Sequence, residues 1–269
     1  DFLQRVSTND ILKIGDRDCL RTIFLNDKGK IIDFVTIIKY DSALLMVSSN
    51  GNEDKVKDFF DKYIVIDDVS FDIHKSNKIT FIPENNEDLY RLKGVNFIEG
   101  NYLYSDDYRF KKLIAIEYNE NSVYLKDIKE KSFLLTESDF RDIAIDNGYL
   151  FDSYELNKEI NPLECLLKDY ISFNKGCYIG QEVISRLDSQ TKVPKVMLEI
   201  NSDFELKRND KIYFEDKGLE TECGFVTSAV HSQEGFKALG FIRNINLQDN
   251  NIYYVNKRKK DVVTINKFK

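Results

Sequence analysis

The sequence predicts an α+β fold closed off by a C-terminal β-barrel, and three observations carry that expectation. Up to about residue 190, short strand patterns alternate with helical ones; residues 41–108 have an alternation of their own, as a unit inserted into the first would; and from Lys195 onward only strands and turns occur. The expected organisation is a discontinuous first domain, residues 1–40 and 109–190, an inserted α+β domain, 41–108, and a barrel domain, 191–269.

Taken in order, Arg21 to Asn26 and Lys30 to Ile38 read as strands joined by the hairpin-turn signal Asp27-Lys28-Gly29. Alternation along the second strand puts Ile32, Phe34, Thr36 and Ile38 on one face and Ile31, Asp33, Val35 and Ile37 on the other. Asp33 is therefore a carboxylate among branched apolar side chains, where a charge is costly unless something pairs with it. It is either a site residue or a sheet-edge residue that reaches water. Val56, Phe59, Phe60 and Tyr63 recur at helical spacing behind Asn50-Gly51-Asn52, a capped helix. Strands are expected around Ile64 to Ile66, Ile79 to Ile82 and Asn101 to Tyr104, with a short helix near Glu87 to Leu92; Leu113 to Tyr118 and Val123 to Ile128 then resume the first sheet as strands. Phe140, Ile143, Ala144 and Asn147 mark a helix opened by Thr136 or Ser138 and closed by Gly148. A further helix is expected to start with Asn161 as cap and Pro162 at its first position, burying Leu163, Leu166, Leu167 and Tyr170. The run Lys257-Arg258-Lys259-Lys260, between two strand-like segments, suits a solvated hairpin turn.

Composition excludes several function classes. With 42% apolar and 32% charged residues the chain is ordinary globular material, and a net charge of −7 opposes a main role in gripping nucleic acid, which needs a basic face to displace counterions. No apolar run has bilayer-spanning length and no signal-like segment leads the chain, so a cytoplasmic protein without membrane contact is expected. The four cysteines, Cys19, Cys165, Cys177 and Cys223, are scattered without a C-x-x-C pair, which fits neither a zinc site nor a secreted disulfide framework; no metal site is expected. His74 and His231 stand alone in strand-like surroundings.

Residues 175 to 182, Lys-Gly-Cys-Tyr-Ile-Gly-Gln-Glu, are the most informative stretch. They precede the helical spacing of Val183, Ile184 and Leu187, and a helix start offers unpaired backbone N–H groups and partial positive charge. Cys177 there has two reasons for a lowered pKa, the helix end and nearby Lys175. Gly176 and Gly180 permit backbone conformations closed to residues with a β-carbon. The bland alternative is a tight strand-to-helix turn around a buried cysteine.

The octapeptide resembles the signature of the YgfZ type of folate-binding protein, within the glycine-cleavage T-protein (aminomethyltransferase) superfamily. Phe2-Leu3-Gln4 with Thr8-Asn9-Asp10 is similar to that superfamily's opening pattern, Gly29 to Asp33 to its hairpin strand, and Pro162-Leu163-Glu164 to the segment before the signature. Gly224 to Ser228 and Ala238 to Arg243 resemble two strands of its barrel. The resemblance implies a three-domain cloverleaf of the aminomethyltransferase folate-binding type, holding tetrahydrofolate or another folate in a central hole. It also implies a place for each site candidate. Asp33 matches the first of two consecutive aspartates in the T-protein branch, and Phe34 replaces the second, which opposes transferase chemistry. Where the family has an arginine, this chain has Ala144; Asp146 keeps the acidic place, and Arg141, one turn earlier, would take over folate contact. Tyr178, Gln181, Glu182 and Arg186 would fix the loop or touch ligand, with Arg186 one turn beyond Glu182 and able to pair with it. Cys177, assisted by Lys175, would carry the chemistry. The chain begins at Asp1, and the resembled family has a strand or two before its FLQ segment, which leaves open a missing N-terminal piece.

The function expected on this basis is a folate-binding accessory protein for iron–sulfur cluster assembly or repair, working as a monomer with iron–sulfur client or assembly proteins, including tRNA-thiolating enzymes, and without direct nucleic-acid binding. The alternatives are a folate-dependent aminomethyltransferase of the glycine-cleavage T-protein type and a binding module without chemistry.

Overall fold

The chain folds into two units, each assembled from three separate stretches of sequence. The first comprises Asp1–Leu25, Ile32–Leu134 and Tyr170–Ile179, and the second Asn26–Ile31, Leu135–Asp169 and Gly180–Lys269. The structure, a computed structural model, describes residues 1–49, 51–74, 76–82, 92, 94–150, 154–232, 235–248, 251–258 and 260–268.

In the first unit, β1 (Asp18–Leu25), β2 (Ile31–Tyr40) and β3 (Ala43–Val47) form a three-stranded sheet in that order. A four-stranded antiparallel sheet takes β4 (Asn77–Phe81), β5 (Val95–Ile98), β6 (Asn101–Asp106) and β7 (Lys112–Glu117) in the order β4-β7-β6-β5. The period-two pattern of β2 decides which layer each face meets. Val35 and Ile37 pack with Phe24 against α1 (Phe2–Val6) and α2 (Glu53–Tyr63), through Phe2, Val6, Val56, Phe59 and Phe60. Ile38 turns the other way and packs with Val95, Tyr104, Ile114 and Ile116 of the second sheet. That sheet's far face receives Leu125 and Ile128 of α3 (Val123–Glu130). Each buried Phe, Leu or Ile of these layers contributes roughly 1.5–3 kcal/mol by leaving water.

Three local expectations fail here. Val123 to Ile128 is helical, because Leu125 and Ile128, three apart, are the buried pair and the Ser122 hydroxyl accepts from Leu125 N at 3.1 Å as an N-cap. The strand before it, β7, lies in the four-stranded sheet and does not rejoin the first. Ile64 to Ile66 is no strand; Val65 and Ile66 are exposed, and among the described residues no strand pairs with them. The helix expected near Glu87 to Leu92 falls outside the described residues except for Leu92, as do Asn50 and Lys259. His74 lies in an irregular exposed segment, while His231 stands in a strand as expected.

The second unit centres on the expected barrel. Strands β8 (Lys195–Ser202), β9 (Lys211–Asp216), β10 (Leu219–Ser232), β11 (Gly235–Arg243), β12 (Tyr253–Val255) and β13 (Val262–Asn266) close in the order β10-β11-β8-β13-β12-β9 around Leu198, Ile200, Ile212, Val226, Ala238 and Ile242. Closure removes the exposed strand edges that an open sheet would carry. Helix α4 (Glu137–Asp146) begins with a capping box between Thr136 and Asp139, and α5 (Gln181–Ser189) starts within the octapeptide, at its last two residues. The tip of the first hairpin belongs to this unit: Gly29, at φ +67°, sits where a β-carbon would lie 3.0 Å from Val183 Cβ on α5. The helix expected after Asn161 is instead a series of turns. Asn161 does act as a cap, its side chain accepting from Leu163 N and Glu164 N at 2.9 and 3.1 Å, but Leu166 takes a left-handed φ of +58° and stops propagation. Among the described residues no helix is long and apolar enough to cross a membrane.

Candidate functional site

The octapeptide ends the first unit and opens the second. Its last glycine, Gly180, is the N-cap of α5 at φ +81°, a conformation that costs a residue with a β-carbon about 1–2 kcal/mol. Cys177 lies three positions ahead of that cap, outside the helix, and is exposed. All four cysteines are described and Cys177 alone is exposed; Cys165 and Cys223 are buried, Cys19 is half-buried, and burial pushes the thiols of Cys19 and Cys223 up to about 12. The bland alternative of a buried Cys177 is thereby removed.

The two residues around Cys177 are anchors. Lys175 Nζ donates to three backbone carbonyls, Gln4 O at 2.6 Å, Ser7 O at 2.7 Å and Asn9 O at 2.8 Å. Burial pulls its ammonium down to about 8, opposed by the charge of Asp10. Tyr178 is buried, with the Lys175 ammonium 5.5 Å from its ring centre, and its hydroxyl meets no partner among the described residues. Burial pushes that phenol up to about 12.

The first unit also holds a pocket of about 250 Å³ that the sequence did not announce. Cys19, Leu20 and Arg21 of β1, Thr36 of β2, Tyr104, Ser105 and Asp106 at the end of β6, then Asp107, Tyr108 and Tyr170, line it. Arg21 binds Asp106 through two bonds, Nε to Oδ1 at 3.2 Å and Nη2 to Oδ2 at 2.5 Å. Its guanidinium also lies 4.9 Å from the Phe34 ring centre and 4.8 Å from that of Tyr108. Phe34 meets Tyr108 and Tyr170 edge-to-face at 5.1 and 4.9 Å. Burial pushes Asp106 up, but the Arg21 charge and hydrogen bonds, with Lys112 behind them, outweigh it and hold the carboxyl below its usual range. Lys112, almost fully buried, donates to Tyr108 O at 2.7 Å and Phe110 O at 3.0 Å; burial pulls it down to about 8. The result is a hollow lined by both aromatic rings and charged groups. Arg21 and Asp106 are 85 residues apart, so no local pattern could pair them.

Asp33 faces away from this pocket, on the side of β2 that packs against α1 and α2, and has no exposure at all. The possibility that it reaches water at a sheet edge is therefore excluded. Its carboxylate accepts from Phe34 N at 2.8 Å, Ser49 N at 3.1 Å and Asn52 Nδ2 at 3.3 Å, which ties the start of α2 to β2. The partner that offsets its burial is this set of donors.

Arg141, Asp146, Gln181, Glu182 and Arg186 belong to the second unit. Arg141 bonds to Glu137, one turn earlier, at 2.7 Å and lies over the Tyr154 ring; Asp146 pairs with Lys237 at 2.7 Å. Gln181 opens α5, half-buried. Glu182 and Arg186 are both exposed and form no ion pair with each other, so the pairing expected along α5 does not occur. Among the described residues no three His, Cys, Asp or Glu side chains converge as a metal site requires.

This architecture has counterparts. The chain superposes over its whole length on 79% of the glycine cleavage system aminomethyltransferase T from Bartonella henselae, with a TM-score of 0.77 at 14% identity. The fold is that of aminomethyltransferase T. Sequence likeness points the same way: aminomethyltransferases of Thermoanaerobacter pseudethanolicus and Caldanaerobacter subterraneus are each 25% identical, over 89% of this chain and 72% and 70% of their own lengths. No family model matches the sequence. What the aminomethyltransferase T fold brings here is a mixed α/β framework with a six-stranded barrel. Within it, the Arg21–Asp106 pair lines the pocket, and Phe34 packs against the lining residues Arg21, Tyr108 and Tyr170.

Proposed function

We propose that this chain is a folate-binding accessory protein for iron–sulfur cluster assembly or repair, of the YgfZ type, with Cys177 as its functional thiol. The observation that carries the proposal is the exposure of Cys177 on a loop anchored at both of its ends, while the other cysteines are shielded. When ionised, a single exposed thiol attacks electrophilic carbon or holds iron briefly. One cysteine does not hold a cluster, so the remaining ligands come from a client protein or a small thiol.

Tetrahydrofolate or another folate is the ligand this reading assigns to the pocket of the first unit. The residues fit a bicyclic head: Tyr108 and Tyr170 offer ring surfaces, while Thr36, Tyr104 and the Arg21–Asp106 pair offer polar edges. Whole drug-sized ligands occupy roughly 300–1,000 Å³, so a hollow of about 250 Å³ takes the head and leaves the glutamate tail outside. Bound folate would supply a one-carbon unit or its acceptor; the chain's residues bind and orient it. The three-domain cloverleaf, a cytoplasmic monomer, and iron–sulfur clients as partners all belong to this proposal.

The test separates thiol from ligand. Cys177→Ser is expected to bind tetrahydrofolate like the parent and to fold as well, yet to abolish support of cluster-dependent enzymes in cells; full support by that variant sinks the proposal. A transferase reading draws on the names of the relatives. Against it stands Phe34, an apolar ring where that chemistry wants a second carboxylate. Methylene-tetrahydrofolate and ammonia released at enzymatic rate from an aminomethylated lipoyl carrier would favour the transferase.

A further inference from the structure

We propose that Lys175 is a positioning residue, whose ammonium fills a cage of three backbone carbonyls and so fixes the Cys177 loop to the N-terminal segment, with no donor left over for the thiol. The proposal deepens the functional reading, since it matters to activity only if Cys177 is the working group. An ammonium has three donors. Here Gln4 O, Ser7 O and Asn9 O take all three, at 2.6, 2.7 and 2.8 Å, so none remains for a sulfur or a ligand. Backbone carbonyls replacing a hydration shell is how proteins hold desolvated monovalent cations, and the Lys175 head group occupies such a place at the end of its own side chain.

The cage is built by the opening FLQ and TND motifs together with Ser7 between them. Gln4 Nε2 donates to Asp10 Oδ1 at 2.9 Å and Gln4 Oε1 accepts from Ile11 N at 2.8 Å, which curls the segment back on itself. Thr8 Oγ1 donates to Tyr170 O at 2.9 Å and accepts from Ile23 N at 3.0 Å; Asn9 Nδ2 donates to Arg21 O at 2.9 Å. The segment that offers the carbonyls is thus bonded directly to Arg21 and Tyr170, two residues of the pocket wall. On the loop side, Ser172 N donates to Thr8 O at 2.9 Å and Ile179 N to Arg5 O at 3.3 Å. Cys177 is held between fixed points at Lys175 and Ile179, and Gly176 beside it faces open space, with no atom within 4 Å of a β-carbon built there. Lysine suits this task where arginine does not, because three carbonyls around a point match a tetrahedral head and not a planar fork. The half-buried ammonium costs solvation, visible in its depressed pKa, and the carbonyls with nearby Asp10 offset that cost.

Amide hydrogen exchange and the pH profile of Cys177 alkylation by iodoacetamide, measured on Lys175→Ala and Lys175→Met, decide the matter. Lys175→Ala is expected to speed exchange at the Ser172 and Ile179 amides by roughly tenfold or more, and added ammonium ion, which fits the emptied cage, is expected to restore protection. Lys175→Met fills the space without donors and is expected to show the same faster exchange with no restoration. In both variants the alkylation midpoint is expected to stay where it is in the parent. A midpoint raised by roughly one unit or more, unchanged exchange, or equal restoration of both variants by ammonium would overturn the proposal. Should the alanine variant not fold, the methionine variant gives the exchange and midpoint readouts alone. Neither readout uses folate or a client protein, so failure of the clamp is separable from failure of the thiol reading, which Cys177→Ser tests.

Discussion

Replacing Arg21 with methionine removes one half of a largely buried ion pair that lines the first unit's pocket. Arg21 and Asp106 have side chains 15% and 6% exposed. Breaking a buried pair from one side costs about 3–5 kcal/mol, because the remaining charge loses its partner. Methionine refills most of the apolar volume, and Asp106 keeps Lys112 at 3.4 Å and the Tyr108 N–H at 3.0 Å, which argues for the lower end. The two guanidinium–ring contacts, each about 0.5–1 kcal/mol, are lost in addition. The expected cost near neutral pH is therefore about 4–5 kcal/mol. Its pH dependence has a definite sign. In the parent, the Asp106 pKa is depressed, so its contribution is present above the unfolded value of about 3.9 and lost as pH falls through the folded value. In the variant, burial acts without Arg21 and raises the folded pKa; the penalty is then full at neutral pH and relieved as the carboxyl gains its proton. The gap between the two proteins should narrow from neutrality toward about pH 4. Urea unfolding followed by circular dichroism at both ends of that range measures it. A loss under about 1 kcal/mol, or a gap that does not change with pH, would refute the reasoning that Asp106 depends on Arg21.

Two further expectations concern the second unit. Gly29→Ala places a β-carbon at φ +67° and 3.0 Å from Val183 Cβ, and should cost about 2–3 kcal/mol, seen as a lowered calorimetric midpoint; an unchanged midpoint would mean that the hairpin tip moves freely off α5. Thr136→Ala removes the capping box of α4 and should cost about 1 kcal/mol, while Thr136→Ser should cost little; equal losses from the two would show that the hydroxyl is not the stabilising group.

Much of the framework was legible because its signals are local. The hairpin at Asp27-Lys28-Gly29, the α2 stripe of Val56, Phe59 and Phe60, the Thr136 cap and the strand-only tail all appear where periodicity and turn chemistry put them. Two misreadings are also local. Val123 to Ile128 opens with the strand-favouring Val123-Tyr124-Leu125, and Ser122, an N-cap residue, is the signal that corrects it. Asn161-Pro162 begins as helices begin, yet nothing in the pattern marks Leu166 as left-handed. The site divides along the same line. The octapeptide exposed itself by composition, but its lysine bonds to Gln4, 171 residues away, and the pocket joins Arg21 to Asp106 and Tyr170 across most of the first unit. Contacts of that range follow from the assembled sheets, and sequence spacing holds no record of them.

The order in which the stretches of the first unit are translated has its own consequence. Asp1–Leu25 and Ile32–Leu134 leave the ribosome well before Tyr170–Ile179, so a nascent chain has the carbonyls of Gln4, Ser7 and Asn9 in place with no ammonium to receive. The strip bearing Cys177 is the final piece added, and the thiol gains its mounting only when the rest of that unit has already been made.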